Sequence, residues 1–308
     1  MRCLCCGKVL KNESDNWHKV CIKKFFGTNI LPKIDSCLLN DTIEKLGDSI
    51  IENNKSITGV QKKLSLHLSN DQLPLRLTLL GYPQGYILKP NSEEFTYIAE
   101  AEHLVMTMAD FCGILTAQHA LIKIKDNMSY ITKRVDRKEK NKIHMEDFCQ
   151  LSGRLTEYKY SGSYEKCAKI IEKYSINPVL DKTEFFYRLL FCYITGNSDM
   201  HLKNFSLIDS EGGYVLSPAY DLLPVKIIIN DLDDLALTLN GKTRNITKKD
   251  FLEFAENIGI PSLAANKLIK KIIKLENEFI SLINESFLPE DVKYTFINFV
   301  TDKINILK

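Results

Sequence analysis

The sequence predicts an α+β fold in two parts, a small β-rich N-lobe followed by a larger and mainly helical C-lobe. Alternating apolar and polar residues recur before about residue 137, and helical spacing of apolar residues dominates after it. With 308 residues and 44% hydrophobic content, the chain is large enough for two lobes of ordinary size. We therefore predict a Cys-containing N-terminal appendage at 1–40, an N-lobe at 41–137 and a C-lobe at 138–308.

The N-lobe prediction is a set of strands interrupted by one helix. Residues 42–53 show helical spacing, and a second helix starts at Asn91, which forms a capping box with Glu94, and stops at Gly113. The apolar stripe of that second helix is Phe95, Ile98, Val105, Met108 and Cys112. The strands are expected at Leu64–Leu68, Leu75–Leu80, Gly85–Lys89, Ala120–Lys125 and Ser129–Arg134.

The C-lobe prediction is mainly helical, with one hairpin. The hairpin joins Phe205–Ile208 to Tyr214–Leu216 through a turn at 210–213. The helices are expected at Met145–Leu155, Tyr164–Tyr174, Lys182–Thr195, Lys248–Ile258 (with a cap of Thr247 and Asp250), Ser262–Glu285 and Glu290–Ile306.

Net charge, hydropathy and cysteine content bear on the partners and the cellular compartment of the protein. The net charge of +2 does not indicate a nucleic-acid partner, and no apolar run reaches the ~18 residues of a spanning helix. The N-terminus lacks the apolar segment of a signal peptide. Several of the nine cysteines stand alone in apolar segments, which is typical of reduced thiols. We expect a cytoplasmic protein without direct nucleic-acid or membrane binding.

The most informative segment is Gly196-Asn-Ser-Asp-Met-His-Leu-Lys-Asn204, which is followed by Ser217-Pro-Ala-Tyr-Asp221. Phosphoryl transfer needs a group that positions the attacking hydroxyl and oxygen ligands for Mg²⁺. Asp199 is the candidate base, and Asn204 and Asp221 are the candidate Mg²⁺ ligands. The structural alternative is a helix cap with a charged loop and a turn-forming Asp221.

Two upstream segments carry candidate phosphate contacts. Gly59, in Ser56-Ile-Thr-Gly-Val-Gln-Lys-Lys63, would let the backbone approach phosphates, although the segment matches neither common glycine-rich phosphate motif. Lys89 ends a strand, and Glu102, or else Glu100, would hold its ammonium group. An ordinary turn and a surface lysine are the alternatives for these two segments.

The segment 133–136 follows the last N-lobe strand and is a candidate hinge whose backbone would meet an adenine edge. A solvated charged turn explains the same residues equally well.

The N-terminus contains Cys3-x-x-Cys6 and His18-x-x-Cys21, a spacing that is typical of zinc ribbons. Cys5 offers a competing thiol. Reduced cysteines that only pack remain the alternative to zinc.

With these residues, the chain resembles the HipA family of bacterial serine/threonine kinase toxins over about residues 50–290. The matching segments, in the family's order, are 56–63, Tyr86-Ile-Leu-Lys-Pro90, Ile131-Thr-Lys-Arg-Val-Asp-Arg137, Met145-Glu-Asp-Phe-Cys-Gln150, Gly196–Ser206 and Leu216–Leu222.

The resemblance implies a bilobal, protein-kinase-like fold and an enzyme that uses ATP and Mg²⁺. It implies that Asp199 is the catalytic base and that Asn204 and Asp221 bind Mg²⁺. The nucleotide contacts it implies are Thr58, Gly59, Val60, Gln61, Lys62, Lys63, Lys89, Glu102, Lys133, Arg134, Val135, His201, Lys203 and Tyr220.

Only 55 residues precede the Gly-containing loop, fewer than in full-length HipA-like kinases, and the start differs. This looks like the shortened HipT branch, in which a small HipS protein and a DNA-binding HipB protein are partners. Ser56 and Thr58 occupy the autophosphorylated positions of that branch. The implied target is an aminoacyl-tRNA synthetase, with growth arrest and persistence as the outcome.

A phosphate on Ser56 or Thr58 adds nearly two negative charges where ATP phosphates are expected to bind, so we expect it to lower activity. Redirected partner binding is the alternative effect. The competing functions for the whole chain are a small-molecule or lipid phosphotransferase with the same core, and a binding module without catalysis.

Overall fold

The computed structural model describes residues 1–12, 15–34, 63–69, 75–78, 84–91, 95–124, 127–138, 141–229 and 231–308. The chain forms two compact units: Met1–His103 with Ala117–Lys142, and Leu104–Thr116 with Ile143–Lys308. The predicted helix at 42–53, most of the Gly-containing loop (56–62) and Glu94 lie outside the described residues.

The first unit is built on a six-stranded sheet. Its strands are β1 (Lys33–Ile34), β2 (Leu64–Ser69), β3 (Arg76–Thr78), β4 (Tyr86–Pro90), β5 (His119–Ile124) and β6 (Asn127–Lys133). The order is β1-β3-β2-β4-β6-β5, with β1 parallel to β3 and the other pairs antiparallel. In this register Lys89, near the end of β4, lies opposite Tyr130 of β6. A two-stranded ribbon, β7 (Arg137–Lys138) with β8 (Asn141–Lys142), follows.

Two helices are described in this part of the chain: α1 (Lys19–Phe26), in the first unit, and α2 (Ile98–Phe111), which begins in the first unit and ends in the second. Helix α1 was not predicted from the sequence. The predicted start of α2 at Asn91 is wrong, because a turn precedes the helix and places Tyr97 at φ 63°. The Asn91 side chain instead accepts a hydrogen bond from the backbone N–H of Ala99, at 2.8 Å. The predicted stop at Gly113 holds, with φ 85° at that residue.

The second unit contains a small antiparallel sheet in the order β11-β10-β9. Its strands are β9 (Met145–Asp147), β10 (Ser206–Ser210) and β11 (Gly213–Leu216). The helix predicted at Met145–Leu155 is wrong: its first three residues pair with β10, and only α3 (Phe148–Leu151) is helical. Asp147 caps α3 through a capping box with Gln150, so the strand stops where the helix begins.

The remaining described helices of this unit are a buried central helix, α5, and the helices that surround it. They are α4 (Tyr164–Tyr174), α5 (Pro178–Thr195), α6 (Val225–Ile229), α7 (Lys248–Asn257), α8 (Ser262–Ile273), α9 (Glu276–Asn284) and α10 (Glu290–Leu307). The sequence pattern did not predict α6. It also predicted one helix where α8 and α9 are separated at Lys274 and Leu275, and no glycine or proline marks that break.

The central helix α5 determines where the candidate catalytic loop begins. Every residue from Phe185 to Thr195 is buried, and the helix ends at Gly196 with φ 70°. A Cβ atom at Gly196 would lie 2.9 Å from Cε1 of Phe299, so the position requires glycine for space as well as for conformation. None of the helices in the described part of the chain combines the length and hydropathy of a membrane-spanning segment.

Candidate active site

The loop that follows α5 is polar but buried. Asn197, Ser198, Asp199, His201 and Asn204 are all at most 7% exposed. Because buried polar groups are costly unless they are hydrogen-bonded, a loop of this composition requires an organised network.

Asp199 is the centre of that network. Its carboxylate oxygen Oδ1 accepts a hydrogen bond from the hydroxyl group of Tyr160. Its backbone carbonyl accepts hydrogen bonds from the backbone N–H of His201 and from Nδ2 of Asn204, both at 2.8 Å. Its backbone N–H donates to Oδ1 of Asn197 at 3.3 Å. The loop therefore holds the carboxylate in place through both its side chain and its backbone.

Asn204 has a defined amide orientation. Its Nδ2 donates to the Asp199 carbonyl, a group that only accepts, so its Oδ1 is the atom left to act as a ligand. Asn204 ends a short 3₁₀ turn, Leu202–Asn204, whose first residue follows His201. An amide oxygen on this turn is a suitable ligand for a hard cation such as Mg²⁺.

Asp221 lies on the segment that leaves β11, and it is half-buried with φ 55°. The preceding residue, Tyr220, connects this segment to the Asn204 turn. The Tyr220 hydroxyl donates to the Lys203 carbonyl at 3.2 Å and shares a hydrogen bond with Oγ of Ser206. Asp221 is also close enough to His201 to act electrostatically on its imidazole. The three predicted catalytic and metal-binding residues thus belong to one connected part of the second unit.

His201 is a neutral imidazole at physiological pH. Burial lowers its pKa to about 3, and the positive charge of Lys159 acts in the same direction, while Asp221 opposes the shift. Its ring makes an edge-on contact with Tyr160, with centroids 4.9 Å apart. Its Nε2 is buried and has no hydrogen-bond partner among the described residues.

Lys203 forms an ion pair with Asp147, with 2.9 Å between Nζ and Oδ2. Lys203 was predicted as a nucleotide contact, whereas Asp147 was not predicted as a site residue. Tyr160 was also missed. Asp147 belongs to a segment that had been matched to the HipA family, which is the signal that could have found it, whereas we see no local signal for Tyr160.

In the first unit, Lys89 and Glu102 form a buried ion pair. Nζ of Lys89 donates to Oε1 of Glu102 at 2.7 Å, and the two side chains are 7% and 2% exposed. The ammonium group lies 5.4 Å from the centre of the Tyr130 ring. The alternative partner, Glu100, instead accepts from Nδ2 of Asn91 at 3.0 Å. The structure therefore brings Lys89 together with Glu102.

Two backbone N–H groups of the candidate hinge already donate hydrogen bonds within the protein. The backbone amides of Lys133 and Arg134 donate to the carbonyls of Gln118 and Gly85, at 2.8 and 2.9 Å. The Arg134 side chain binds Asp136 through two 2.9 Å hydrogen bonds, and Nζ of Lys133 lies over the Phe25 ring. Two of the four backbone donors predicted to meet adenine, those of Lys133 and Arg134, are therefore already used within the protein. Lys63 is exposed just before β2, and the rest of its loop is outside the described residues.

The N-terminal residues that were predicted to bind zinc also come together. The ligand atoms of Cys3, Cys6, His18 and Cys21 all lie within 4.8 Å of one another. This group belongs to the first unit, as do Lys89 and Glu102.

Known proteins resemble this chain in sequence. A putative kinase of Haemophilus influenzae is 29% identical over 269 residues, which cover 76% of each chain. The serine/threonine-protein kinase toxin HipA of Shewanella oneidensis is 25% identical over 76% of this chain and 57% of the toxin.

Solved structures resemble it in fold. HipA from the Shewanella oneidensis complex of HipA, HipB and operator DNA matches with a TM-score of 0.71 and 21% identity, over 90% of this chain and 71% of the other. The Helicobacter pylori proinflammatory kinase CtkA matches with a TM-score of 0.56 and 18% identity, over 74% of this chain and 86% of the other. The α+β, kinase-like fold class predicted from the sequence is thereby confirmed.

The family model that describes the HipA-like C-terminal domain matches residues 55–279, well over half of the chain. This range contains Lys89, Glu102 and the whole Asp199 loop. The chain belongs to the family of proteins with a HipA-like C-terminal domain.

Proposed function

We propose that this chain is an ATP- and Mg²⁺-dependent serine/threonine protein kinase that acts as the toxin of a toxin–antitoxin system. The observation that carries the proposal is the buried Asp199 carboxylate, held by the Tyr160 hydroxyl and tied through its backbone carbonyl to Asn204. A base fixed next to a metal ligand is what phosphoryl transfer to a hydroxyl group requires.

In this proposal Asp199 accepts the proton of the attacking hydroxyl group. A carboxylate in a fixed orientation lowers the barrier mainly by positioning the nucleophile, since phosphoryl transfer needs little covalent chemistry from the protein. The neutral His201 adds no positive charge that would compete for this carboxylate, because its pKa lies near 3.

The oxygen atoms of Asn204 and Asp221 fit a Mg²⁺ site. Mg²⁺ takes few protein ligands and completes its octahedral shell with water and phosphate oxygens, so one amide oxygen and one carboxylate are sufficient. The donor set supports this assignment, because Nδ2 of Asn204 is occupied and only its oxygen is offered. Bound Mg²⁺ would supply neutralisation of the negative charge on the β- and γ-phosphates.

Lys89 is assigned to the nucleotide phosphates, with Glu102 holding its ammonium group. A buried lysine that is held by a well-placed carboxylate has a fixed position, which suits a point charge that binds α- and β-phosphates. We extend the nucleotide contacts to Gly59, Gln61 and Lys63, to Val135 at the hinge, and to His201. The buried Nε2 of His201 is a candidate donor, because Nδ1 accepts from the backbone N–H of Lys203.

The partners follow from the relatives. The solved Shewanella HipA is in a complex with HipB and operator DNA, and we propose a HipB-like antitoxin for this chain. We further propose that the chain belongs to the HipT branch, with a HipS-like small protein as a second partner and autophosphorylation at Ser56 and Thr58. An aminoacyl-tRNA synthetase is the proposed substrate, and cytoplasmic growth arrest the proposed outcome.

Phosphoproteomics after brief induction tests this function, in a bacterial host that lacks the partner proteins. Wild type is compared with Asp199→Asn, and with Asp209→Asn as a matched control, because Asp209 is an exposed acid on β10 of the same unit. We expect one dominant phosphorylated protein, a synthetase, with wild type and with Asp209→Asn, and none with Asp199→Asn.

Other outcomes would contradict the proposal at different levels. A dominant phosphoprotein that is not a synthetase would reject only the substrate. Phosphate transfer to a metabolite or lipid, with no newly phosphorylated protein, would favour the alternative small-molecule or lipid phosphotransferase. Equal protein phosphorylation by wild type and Asp199→Asn would reject Asp199 as the catalytic base.

A further inference from the structure

The N-terminal segment contains a side-chain cluster outside the candidate active site, which we call the N-terminal cluster: Cys3, Cys6, His18 and Cys21. Nδ1 of His18 lies 3.4 Å from Sγ of Cys6 and 3.9 Å from Sγ of Cys21. Tetrahedral zinc, with bonds of about 2.3 Å to sulfur and 2.0 Å to nitrogen, separates its ligand atoms by roughly 3.5 to 3.8 Å. The two distances from His18 are close to these values, and all four ligand atoms lie within 4.8 Å of one another.

The backbone around Cys3 and Cys6 forms a tight turn that presents both sulfur atoms on one side. Gly7 donates its backbone N–H to the Cys3 carbonyl, and the backbone N–H of Cys3 donates to the Lys8 carbonyl, each at 2.9 Å. Gly7 has φ 70°, which a residue with a side chain rarely adopts. The turn is closed by an antiparallel bridge between Arg2 and Val9.

The other two ligands come from the start of α1. His18 precedes the first turn of the helix, and Cys21 lies within that turn, so a spacing of three residues places both on one face. The backbone N–H of His18 also donates to Sγ of Cys3 at 3.3 Å. An N–H group directed at sulfur stabilises a thiolate, which is the form that binds metal.

The orientation of the His18 ring provides independent support. Its Nε2 lies 3.2 Å from the carbonyl oxygen of Val9. A carbonyl oxygen only accepts, so in the neutral ring Nε2 carries the hydrogen and Nδ1 is left with the lone pair that faces the thiols. A backbone carbonyl that fixes the tautomer in this way is the usual outer partner of a metal-binding histidine.

We propose that the N-terminal cluster binds one structural Zn²⁺ ion through three thiolates and Nδ1 of His18. Four protein ligands leave no open position for water or substrate, which distinguishes a structural from a catalytic zinc site. Binding forms four metal–ligand bonds and releases the three thiol protons, with no change of oxidation state. Cys5, although adjacent in sequence, is not a member of the group.

The zinc ion would fasten a segment that has a small core of its own. The Trp17 ring packs against Phe25 and Phe26 at 5.5 Å between centroids, and both of these rings contact Tyr86 of β4. The carbonyl of Leu4 accepts from the backbone N–H of Leu121 in β5 at 2.7 Å. A short segment with a small core gains stability from a metal ion that links its parts.

Metal content of the full chain tests the proposal directly. Protein purified without chelator from cells supplied with zinc is expected to contain about one zinc ion per chain by inductively coupled plasma mass spectrometry. Cys6→Ser and Cys21→Ser are expected to lose the metal. Cys5→Ser is the matched control, because it removes a thiol from the same turn, and it is expected to retain the metal.

A second measurement covers the case in which the ligand variants do not fold. Wild-type protein exchanged with Co²⁺ is expected to show the intense visible bands of a tetrahedral ion together with thiolate charge-transfer absorption. Zinc content well below about a tenth of an equivalent per chain, the weak spectrum of an octahedral cobalt ion, or an equal loss of zinc in Cys5→Ser would each overturn the proposal.

Discussion

The two sets of candidate catalytic residues stabilise a buried charged group in different ways. In the first unit, the Lys89 ammonium group is paired with the Glu102 carboxylate at 2.7 Å. In the second unit, the Asp199 carboxylate accepts from the neutral hydroxyl of Tyr160, and neutral amides hold its backbone. The partner described for Lys89 carries the opposite charge, whereas the hydrogen-bond partners described for Asp199 are neutral groups.

This difference suits the roles that we propose. A lysine that binds phosphate needs a constant position, and a strong ionic partner provides it. A base needs a carboxylate that is oriented but still able to take a proton, and neutral hydrogen-bond donors orient it without a full opposing charge. We therefore expect substitutions in the first unit to affect stability and nucleotide binding, and substitutions around Asp199 to affect the rate.

The largest expected effect is that of Asp199→Asn on the rate. Asparagine keeps the size of the side chain and an oxygen for the Tyr160 hydroxyl, but it removes the base. We expect kcat for phosphorylation to fall by about 10²- to 10⁴-fold, with ATP affinity and the free energy of unfolding nearly unchanged. Rates with labelled ATP and urea unfolding provide these values, with Asp209→Asn as the control.

The comparison between the two units would fail if Asp199→Asn behaved as a stability mutant. A loss of several kcal/mol in the free energy of unfolding, with kcat unchanged, would mean that Asp199 is a structural carboxylate in a capped loop.

Glu102→Gln is expected to have the next largest effect. It should act on stability and ATP binding more than on the rate. It leaves the Lys89 ammonium group buried without its charged partner, and breaking such a pair costs about 3 kcal/mol. We expect a lower free energy of unfolding and an increase of about tenfold in the dissociation constant for ATP, with a smaller change in kcat. Urea unfolding and calorimetric ATP titration measure the two effects.

Glu100→Gln is the control for Glu102→Gln, since Glu100 lies on the same helix and accepts from Asn91. Equal effects of the two substitutions would show that general acidity of α2, and not the ion pair with Lys89, is what matters.

The sequence predicted the parts of the site that are local in the chain. Asp199 and Asn204 are five residues apart on one loop, and Lys89 and Glu102 are separated by a strand end and the start of a helix. The sequence did not predict Tyr160 or Asp147, which lie 39 and 56 residues from their partners Asp199 and Lys203. Such contacts depend on how distant elements pack, and residue patterns do not report that.

The same reason explains the errors in secondary structure. Residues 145–147 were predicted as helical from their apolar spacing, but they form a strand because β10, some sixty residues later, pairs with them. The long, periodic helices α4 and α5 needed no such partner to be recognised, since their apolar faces are defined by local spacing alone.

A pH experiment extends the comparison to His201. Its pKa of about 3 lies well below the ordinary value of 6.5, so the unfolded chain binds a proton there more readily than the folded chain does. Its contribution to stability is complete above about pH 6.5 and is lost as the pH falls towards 3. At pH 5 we expect the free energy of unfolding to be lower by about 2 kcal/mol because of this group.

His201→Asn should remove that loss, because Asn can still accept from the backbone N–H of Lys203 but does not titrate. Urea unfolding at pH 7.5 and pH 5 measures the difference. His144→Asn is the control, since His144 has a side chain that is 56% exposed. An acid sensitivity that is the same in His201→Asn and in wild type would contradict the assignment of a buried neutral imidazole.

The smallest expected effect is that of Tyr160→Phe, and it isolates the neutral donor that distinguishes the Asp199 site. Phenylalanine keeps the edge-on ring contact with His201 but cannot donate to the carboxylate. A hydrogen bond to a charged group contributes about 1.5 kcal/mol, so we expect kcat to fall by roughly tenfold while the dissociation constant for ATP stays the same. Tyr158→Phe, a nearby tyrosine that is 51% exposed, is expected to leave both values unchanged. If Tyr160→Phe raised the ATP dissociation constant and left kcat unchanged, the hydroxyl would act on the nucleotide instead of on the base. The contrast between an ionic partner for Lys89 and a neutral partner for Asp199 would then not correspond to a difference in function.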